Sequence, residues 1–292
     1  VFEDGRRFEF WRCQREAMEA LVYCYEVCGY DSLYTLAQGF NVSVHFDPTL
    51  DRWPRYCFRM ATGSGKTFVM GLALVWQYFN SVYGAQDGGP RYSRHFLLVA
   101  PNLIVLDRLG EFEDGQLFHR WPFFVPPEWA SDFDLQTVIQ SEDVPAHSRG
   151  VLHITNVQQF YERGRDEEPE NPIAALMPPR PVQGEEFKSR TTLYDILARY
   201  DDLLVLNDEA HHAHPGTQWQ EALERLHQQL NEGRDSGLTM QLDFSATPMD
   251  AQGNLFPHII YNYPLGQAID DEIVKRPHIG IVEGAPEPLE ED

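Results

Sequence analysis

The chain has 292 residues, of which 42% are hydrophobic and 13% aromatic, enough to bury one large core or two small ones and too apolar for default disorder. A formal charge of -22 excludes a generally basic, phosphate-coating surface, so any nucleic-acid contact must be local. No apolar run approaches the ~18 to 20 residues of a membrane span and no leader pattern is visible, so a soluble, cytoplasmic protein is expected.

Short apolar runs that read as buried strands recur along the chain: Tyr56 to Met60, Phe96 to Ala100, Leu135 to Ile139, Val151 to Thr155, Leu203 to Asn207 and Met240 to Phe244. Between them, apolar residues at three- and four-residue spacing predict helices over Glu16 to Val27, Lys66 to Phe79, Leu103 to Leu109, Thr192 to Tyr200 and Gln218 to Leu230. This alternation predicts an α/β fold, a mostly parallel sheet with helices on both faces. Residues 31–54, 81–93 and 163–190, the last with five prolines and an acidic cluster, read as loops or insertions. Cys13, Cys24, Cys28 and Cys57 lack paired C-x-x-C spacing and are expected as buried free thiols. The chain starts at Val1 rather than Met and ends in the acidic stretch Glu287 to Asp292, so it reads as an excerpt.

Lysine occurs only at Lys66, Lys188 and Lys275, and Lys66 sits in a glycine loop. After the strand ending near Met60 the chain reads Ala61-Thr62-Gly63-Ser64-Gly65-Lys66-Thr67, then continues as an apolar helix from Phe68. Strand, glycine loop and helix form a phosphate cradle: Gly63 and Gly65 let main-chain N–H groups turn inward, and the helix N-terminus adds partial positive charge. Lys66 would reach the β- and γ-phosphates and Thr67 would offer its hydroxyl to Mg²⁺. The strict G-x-x-x-x-G-K-[ST] pattern wants glycine where this chain has Met60. A glycine-rich turn without a ligand is the alternative.

The run Leu203-Leu204-Val205-Leu206-Asn207 delivers Asp208-Glu209-Ala210-His211 at a strand's C-terminal end, where open α/β sheets place ligands. Asp208 would hold Mg²⁺ through its shell, and Glu209 would orient and deprotonate an attacking water; a solvated acidic turn is the alternative. His211, His212 and His214 lie close in sequence, but neighbouring residues on a turn converge poorly on one ion, and no other metal is expected. His211 reads instead as a polar coupler to Ser245-Ala246-Thr247-Pro248, where the Ser245 and Thr247 hydroxyls can hydrogen-bond the acidic turn.

In this order, A-T-G-S-G-K-T, D-E-A-H and S-A-T resemble motifs I, II and III of superfamily-two helicases, over nearly the whole chain. Met60 to Thr67, Asp208-Glu209-Ala210-His211-His212 and Asp243-Phe244-Ser245-Ala246-Thr247-Pro248 resemble most the ATPase part of type III restriction enzymes, the Res subunit. The resemblance implies a RecA-like P-loop NTPase that binds and hydrolyses ATP with Mg²⁺ and drives a DNA helicase or translocase. It places the first RecA-like domain at residues 1–260 and, at 261–292, a crossover toward a second RecA-like domain, then an acidic tail. The implied partners are double-stranded DNA, that second domain with its arginine fingers, a nuclease domain and a methyltransferase subunit. An RNA helicase, or a nucleotide-dependent binding module without translocation, fits the same motifs.

The resemblance also assigns residues that spacing alone does not. Trp11 to Ala17 is similar to the family's adenine-recognition segment (residues 8–17), with Gln14 pairing with the adenine edge and Phe8 or Phe10 stacking on the base. From the residues alone, an exposed helix residue is the alternative for Gln14. Pro101-Asn102 is similar to motif Ia and Thr155-Asn156 to the Ib region, both expected to bind nucleic-acid backbone, although ordinary loop caps explain the same residues.

Overall fold

A computed structural model of the chain describes residues 9–42, 51–84, 89–100, 124–139, 148–156, 193–212, 218–231, 237–249 and 253–276. Seven strands form one sheet: β1 (Arg55–Met60), β2 (His95–Ala100), β3 (Leu135–Ile139), β4 (Gly150–Asn156), β5 (Leu203–Asp208), β6 (Met240–Ser245) and β7 (Ile259–Tyr263). They pair in the order β3-β4-β2-β5-β6-β1-β7, every pair parallel. Parallel strands need crossover connections, which carry helices onto the faces and leave the sheet buried on both sides. The near-continuous apolar runs in β2 and β5 are the sequence trace of that burial.

Side chains alternate between faces, so each strand feeds two cores. Leu204 and Leu206 of β5 and Met240, Leu242 and Phe244 of β6 join the larger cluster with α1 (Arg12–Val22) and α3 (Lys66–Tyr83). Leu203 and Val205 point the other way, toward α4 (Leu193–Leu197) and α5 (Gln218–Asn231). In α5, Trp219, Leu223, Leu226 and Leu230 recur at helical spacing and are all buried, each contributing roughly 1.5–3 kcal/mol of hydrophobic stabilisation.

Several boundaries differ from the sequence reading. A short helix, α2 (Leu33–Gly39), lies within 31–54: Ser32 accepts the Thr35 N–H at its start and Asp51 accepts the Leu33 and Tyr34 N–H groups, so polar caps fold a stretch that reads as loop. The first helix starts at Arg12 rather than Glu16 and passes at Tyr23–Val27 into a π-helical turn. Ile259–Tyr263, which lacks a long apolar run, pairs with β1 as an edge strand and is followed by α6 (Leu265–Asp270). The helix expected over Leu103 to Leu109 and the segment 163–190 lie outside the described residues. Cys13, Cys24 and Cys57 are buried free thiols and Cys28 is half-buried. Among the described residues no helix is long and apolar enough to cross a membrane.

Candidate nucleotide site

The strand order decides what meets what. β6 lies between β1 and β5, and the registers Arg59↔Ser245 and Asp208↔Phe244 keep the three C-terminal ends level. The glycine loop, the acidic turn and the Ser-Ala-Thr turn therefore emerge side by side on one edge of the sheet, where strand ends and helix N-termini gather.

In the loop, Gly63 and Gly65 have φ of 85° and 82°, left-handed values that disfavour a side chain. Gly65 is also the N-cap of α3, and a Cβ there would lie 2.2 Å from Gln14 Nε2. Ser64 is fully buried and closes the turn by donating its hydroxyl to Ala61 O at 2.7 Å, while Thr62 and Gly63 face solvent. Lys66 follows at the helix start with Nζ 2.9 Å from Glu209 Oε1. Its side chain is 10% exposed, so this pair meets at the floor of the site rather than in bulk water.

Glu209 itself adopts φ 49°, a left-handed conformation for a residue with a side chain. Its N–H donates to Asp208 Oδ1 at 3.0 Å, and its second carboxylate oxygen lies 3.5 Å from His211 Nδ1. His211 Nδ1 is also 3.0 Å from Ser245 Oγ, which accepts the Thr247 N–H at 3.1 Å. The structure thus brings Lys66, Asp208, Glu209, His211 and Ser245 together. Thr247 reaches this group through its backbone, its side chain being exposed, where the sequence reading used its hydroxyl.

The family model for the type III restriction enzyme res subunit matches residues 7–250. The chain belongs to this family. Its RecA-like, helicase-like domain accounts for the seven-stranded parallel sheet. Among solved structures the chain is similar to a nuclease-deletion mutant of the Type ISP restriction-modification enzyme LlaGI in complex with a DNA substrate mimic, at 13% identity and a TM-score of 0.42. That similarity covers 91% of this chain and 21% of the other, so this chain spans about a fifth of that enzyme's length. No curated protein matches it.

The remaining residues assigned from the family resemblance have mixed placements. Gln14 is 4% exposed, which removes the exposed-helix alternative. Its Oε1 accepts the Trp11 N–H at 3.0 Å and its Nε2 donates to Ser64 O at 3.4 Å, tying the start of α1 to the glycine loop. Phe10 packs on Phe68 and Phe124, with ring centroids 6.5 and 5.7 Å apart. Thr155 and Asn156 end β4 and are buried, with no more than 2% of either exposed. Phe8, Pro101, Asn102 and His214 lie outside the described residues.

The sequence reading missed the polar layer under this edge. Asp243, fully inside the sheet, accepts from Asn207 Nδ2 at 2.7 Å, from Gln241 Nε2 at 2.9 and 3.1 Å, and from His258 Nε2 at 2.7 Å. Burial pushes its pKa up, but the His258 hydrogen bond, the nearby Arg55 charge and the Gln241 amide outweigh that and hold it below the ordinary carboxylate range. For His258 burial acts in the opposite sense and lowers the pKa below its ordinary value, outweighing the Asp243 bond and charge that raise it. The available signal was Gln241, Asp243 and Ser245 at alternate positions of a strand otherwise apolar.

Proposed function

We propose that this chain binds ATP with Mg²⁺ and hydrolyses it, serving as the motor domain of a DNA translocase or helicase in a type III restriction enzyme. One observation carries the reading: Lys66 Nζ and Glu209 Oε1, 143 residues apart, meet at 2.9 Å beside a loop whose two glycines turn its backbone inward. Thr62, Gly63, Ser64, Gly65, Lys66 and Thr67 would hold the triphosphate, through backbone N–H groups, the α3 N-terminus and the Lys66 ammonium. Thr67 and Asp208 would hold Mg²⁺, which when bound offsets phosphate charge during transfer. Without nucleotide Lys66 rests on Glu209. With nucleotide its ammonium turns to phosphate and leaves the Glu209 carboxylate free to orient water and accept its proton. Gln14, already lodged against the loop, would read the adenine edge, and His211 with Ser245 would relay the state of Glu209 to the third motif.

DNA is the track that a restriction-enzyme family implies. The crossover at 261–292 would lead to a second RecA-like domain supplying arginine fingers, with nuclease domain and methyltransferase subunit elsewhere in the assembly. A second reading, a nucleotide-dependent module without a track, draws support from the charge of -22 and the burial of Thr155 and Asn156. Steady-state ATP turnover of the chain joined to a second RecA-like domain, alone and with double-stranded DNA or RNA at low salt, separates them; by itself the chain should turn ATP over slowly, for want of arginine fingers. Turnover raised by DNA and abolished by Glu209→Gln is expected. Turnover indifferent to either polymer favours the module, stimulation by RNA alone moves the track to RNA, and activity surviving Glu209→Gln removes Glu209 as the base.

A further inference from the structure

A carboxylate buried at the centre of a sheet needs a reason, because apolar residues would fill the same space without desolvating a charge. Asp243 has such a position. In register it stands beside Asn207 on one side and Cys57 on the other, so it lies between the strand that ends in Asp208 and the strand that feeds the glycine loop. Its bond to Asn207 Nδ2 is 2.7 Å, and Asn207 Oδ1 in turn accepts the Trp219 indole N–H at 3.1 Å. The Asn207 amide is thereby held at both ends, immediately before Asp208 in the chain. On its other side Asp243 accepts from His258 Nε2 at 2.7 Å, and the His258 carbonyl accepts the Cys57 N–H at 2.8 Å. Gln241, which donates to both carboxylate oxygens, is itself fixed by Trp53 Nε1 at 3.0 Å. Asp243 is therefore bonded to β5 and, through His258, to the segment clasping β1, within a layer buried from solvent.

The turn that Asn207 introduces is a strained one. Glu209 has φ 49°, and its N–H is satisfied by the Asp208 side chain. Such a conformation persists only where its surroundings over-determine it. Resting on the reading of Asp208 and Glu209 as the Mg²⁺ and water residues, we propose that Asp243 is a positioning residue for them. It holds Asn207, and with it the Asp208–Glu209 turn, at a fixed place relative to the glycine-loop strand. Asp243 touches neither nucleotide nor metal. Its effect passes through one side-chain bond and one peptide link.

Two breaking variants and one conservative variant test this in the full chain. Asp243→Ala removes the hub. Asn207→Leu cuts its bond to the turn and leaves Gln241 and His258 on Asp243. Asp243→Asn keeps an oxygen toward Asn207 and can donate to His258 in its other tautomer. Each is assayed well below its melting midpoint, with turnover normalised to folded chain. The readout is the Mg²⁺ concentration for half-maximal ATP turnover, set against ATP affinity measured without Mg²⁺. Both breaking variants should raise the Mg²⁺ requirement by about tenfold or more, the range seen when partners of metal ligands are removed, and Asp243→Asn should return most of it. Affinity without Mg²⁺ should change far less than the Mg²⁺ requirement, since the glycine loop and the Lys66 side chain that would hold phosphate are not substituted. Should Asp243→Ala not fold, Asn207→Leu carries the same expectation. A merely structural layer would lower melting temperature and leave the Mg²⁺ requirement per folded chain unmoved, which would overturn the proposal while ATP hydrolysis stood. A wild-type chain that binds no ATP would overturn the nucleotide reading instead.

Discussion

Met240, Leu242 and Phe244 on one face of β6, and Gln241, Asp243 and Ser245 on the other, are equally hidden from water, yet they depend on their neighbours differently. The first three pack among other apolar side chains, with Phe244 stacked on Phe58 at 4.7 Å, and are satisfied by any neighbour of the right volume. The second three depend on named partners: Trp53, Asn207 and His258, and His211. Non-directional burial sets how stable the sheet is. The directional face, which ends at the acidic turn, sets where particular atoms lie.

Breaking the apolar face should give the largest change in stability. Phe244→Ala is expected to cost ~3–5 kcal/mol in urea unfolding and to leave nucleotide affinity per folded chain unchanged. A comparable loss of affinity in the folded variant would mean the two faces are not separable.

Acid should act next, on the polar side of the sheet. Burial, with a smaller contribution from the nearby His95, pushes the buried His153 down to about 4, below its ordinary value of 6.5. The unfolded chain therefore takes up a proton on this side chain between those values while the folded chain does not. Stability should fall as pH drops from about 6.5 to about 4, by on the order of 3 kcal/mol from this group at the lower end. His227, also lowered to about 4 by burial, adds to the same slope. Unfolding free energies across this window should be less steep in His153→Gln, and an unchanged slope would remove His153 from the titration.

The smallest effect sharpens the contrast. Gln241→Leu leaves the Trp53 indole N–H without its partner and should cost ~1–3 kcal/mol, whereas Gln241→Leu with Trp53→Phe should cost less than the two single changes added. Simple additivity would show that this bond is not what holds the pair.

The apolar face was legible in the sequence and the polar one only in part, for a physical reason. Continuous apolar runs and helical spacing report burial, so six of the seven described strands and the long helices could be read from stretches such as Leu203 to Asn207. The glycine loop and the acidic turn were legible because their chemistry demands particular residues within a few positions of one another. Directional partners are distant in sequence: Asp243 finds Asn207 36 residues away, and Trp53 finds Gln241 188 residues away. No local period announces such pairs. β7 escaped because an edge strand, with Ile259 to Tyr261 only partly buried and Asn262 exposed, lacks the apolar run of an inner one. α2 escaped because polar caps, rather than an apolar stripe, define it.

The claim on which the rest depends is that Lys66 and Glu209 face each other across a nucleotide site. A calorimetric titration of ATP with Mg²⁺ into the wild-type chain and into Lys66→Ala tests it directly. Binding by the wild type, weakened about tenfold or more in Lys66→Ala through loss of a charge-assisted contact to phosphate, is the expected result. Equal affinities in the two proteins would contradict it and leave the 2.9 Å contact to Glu209 as an ordinary ion pair between a helix start and a turn.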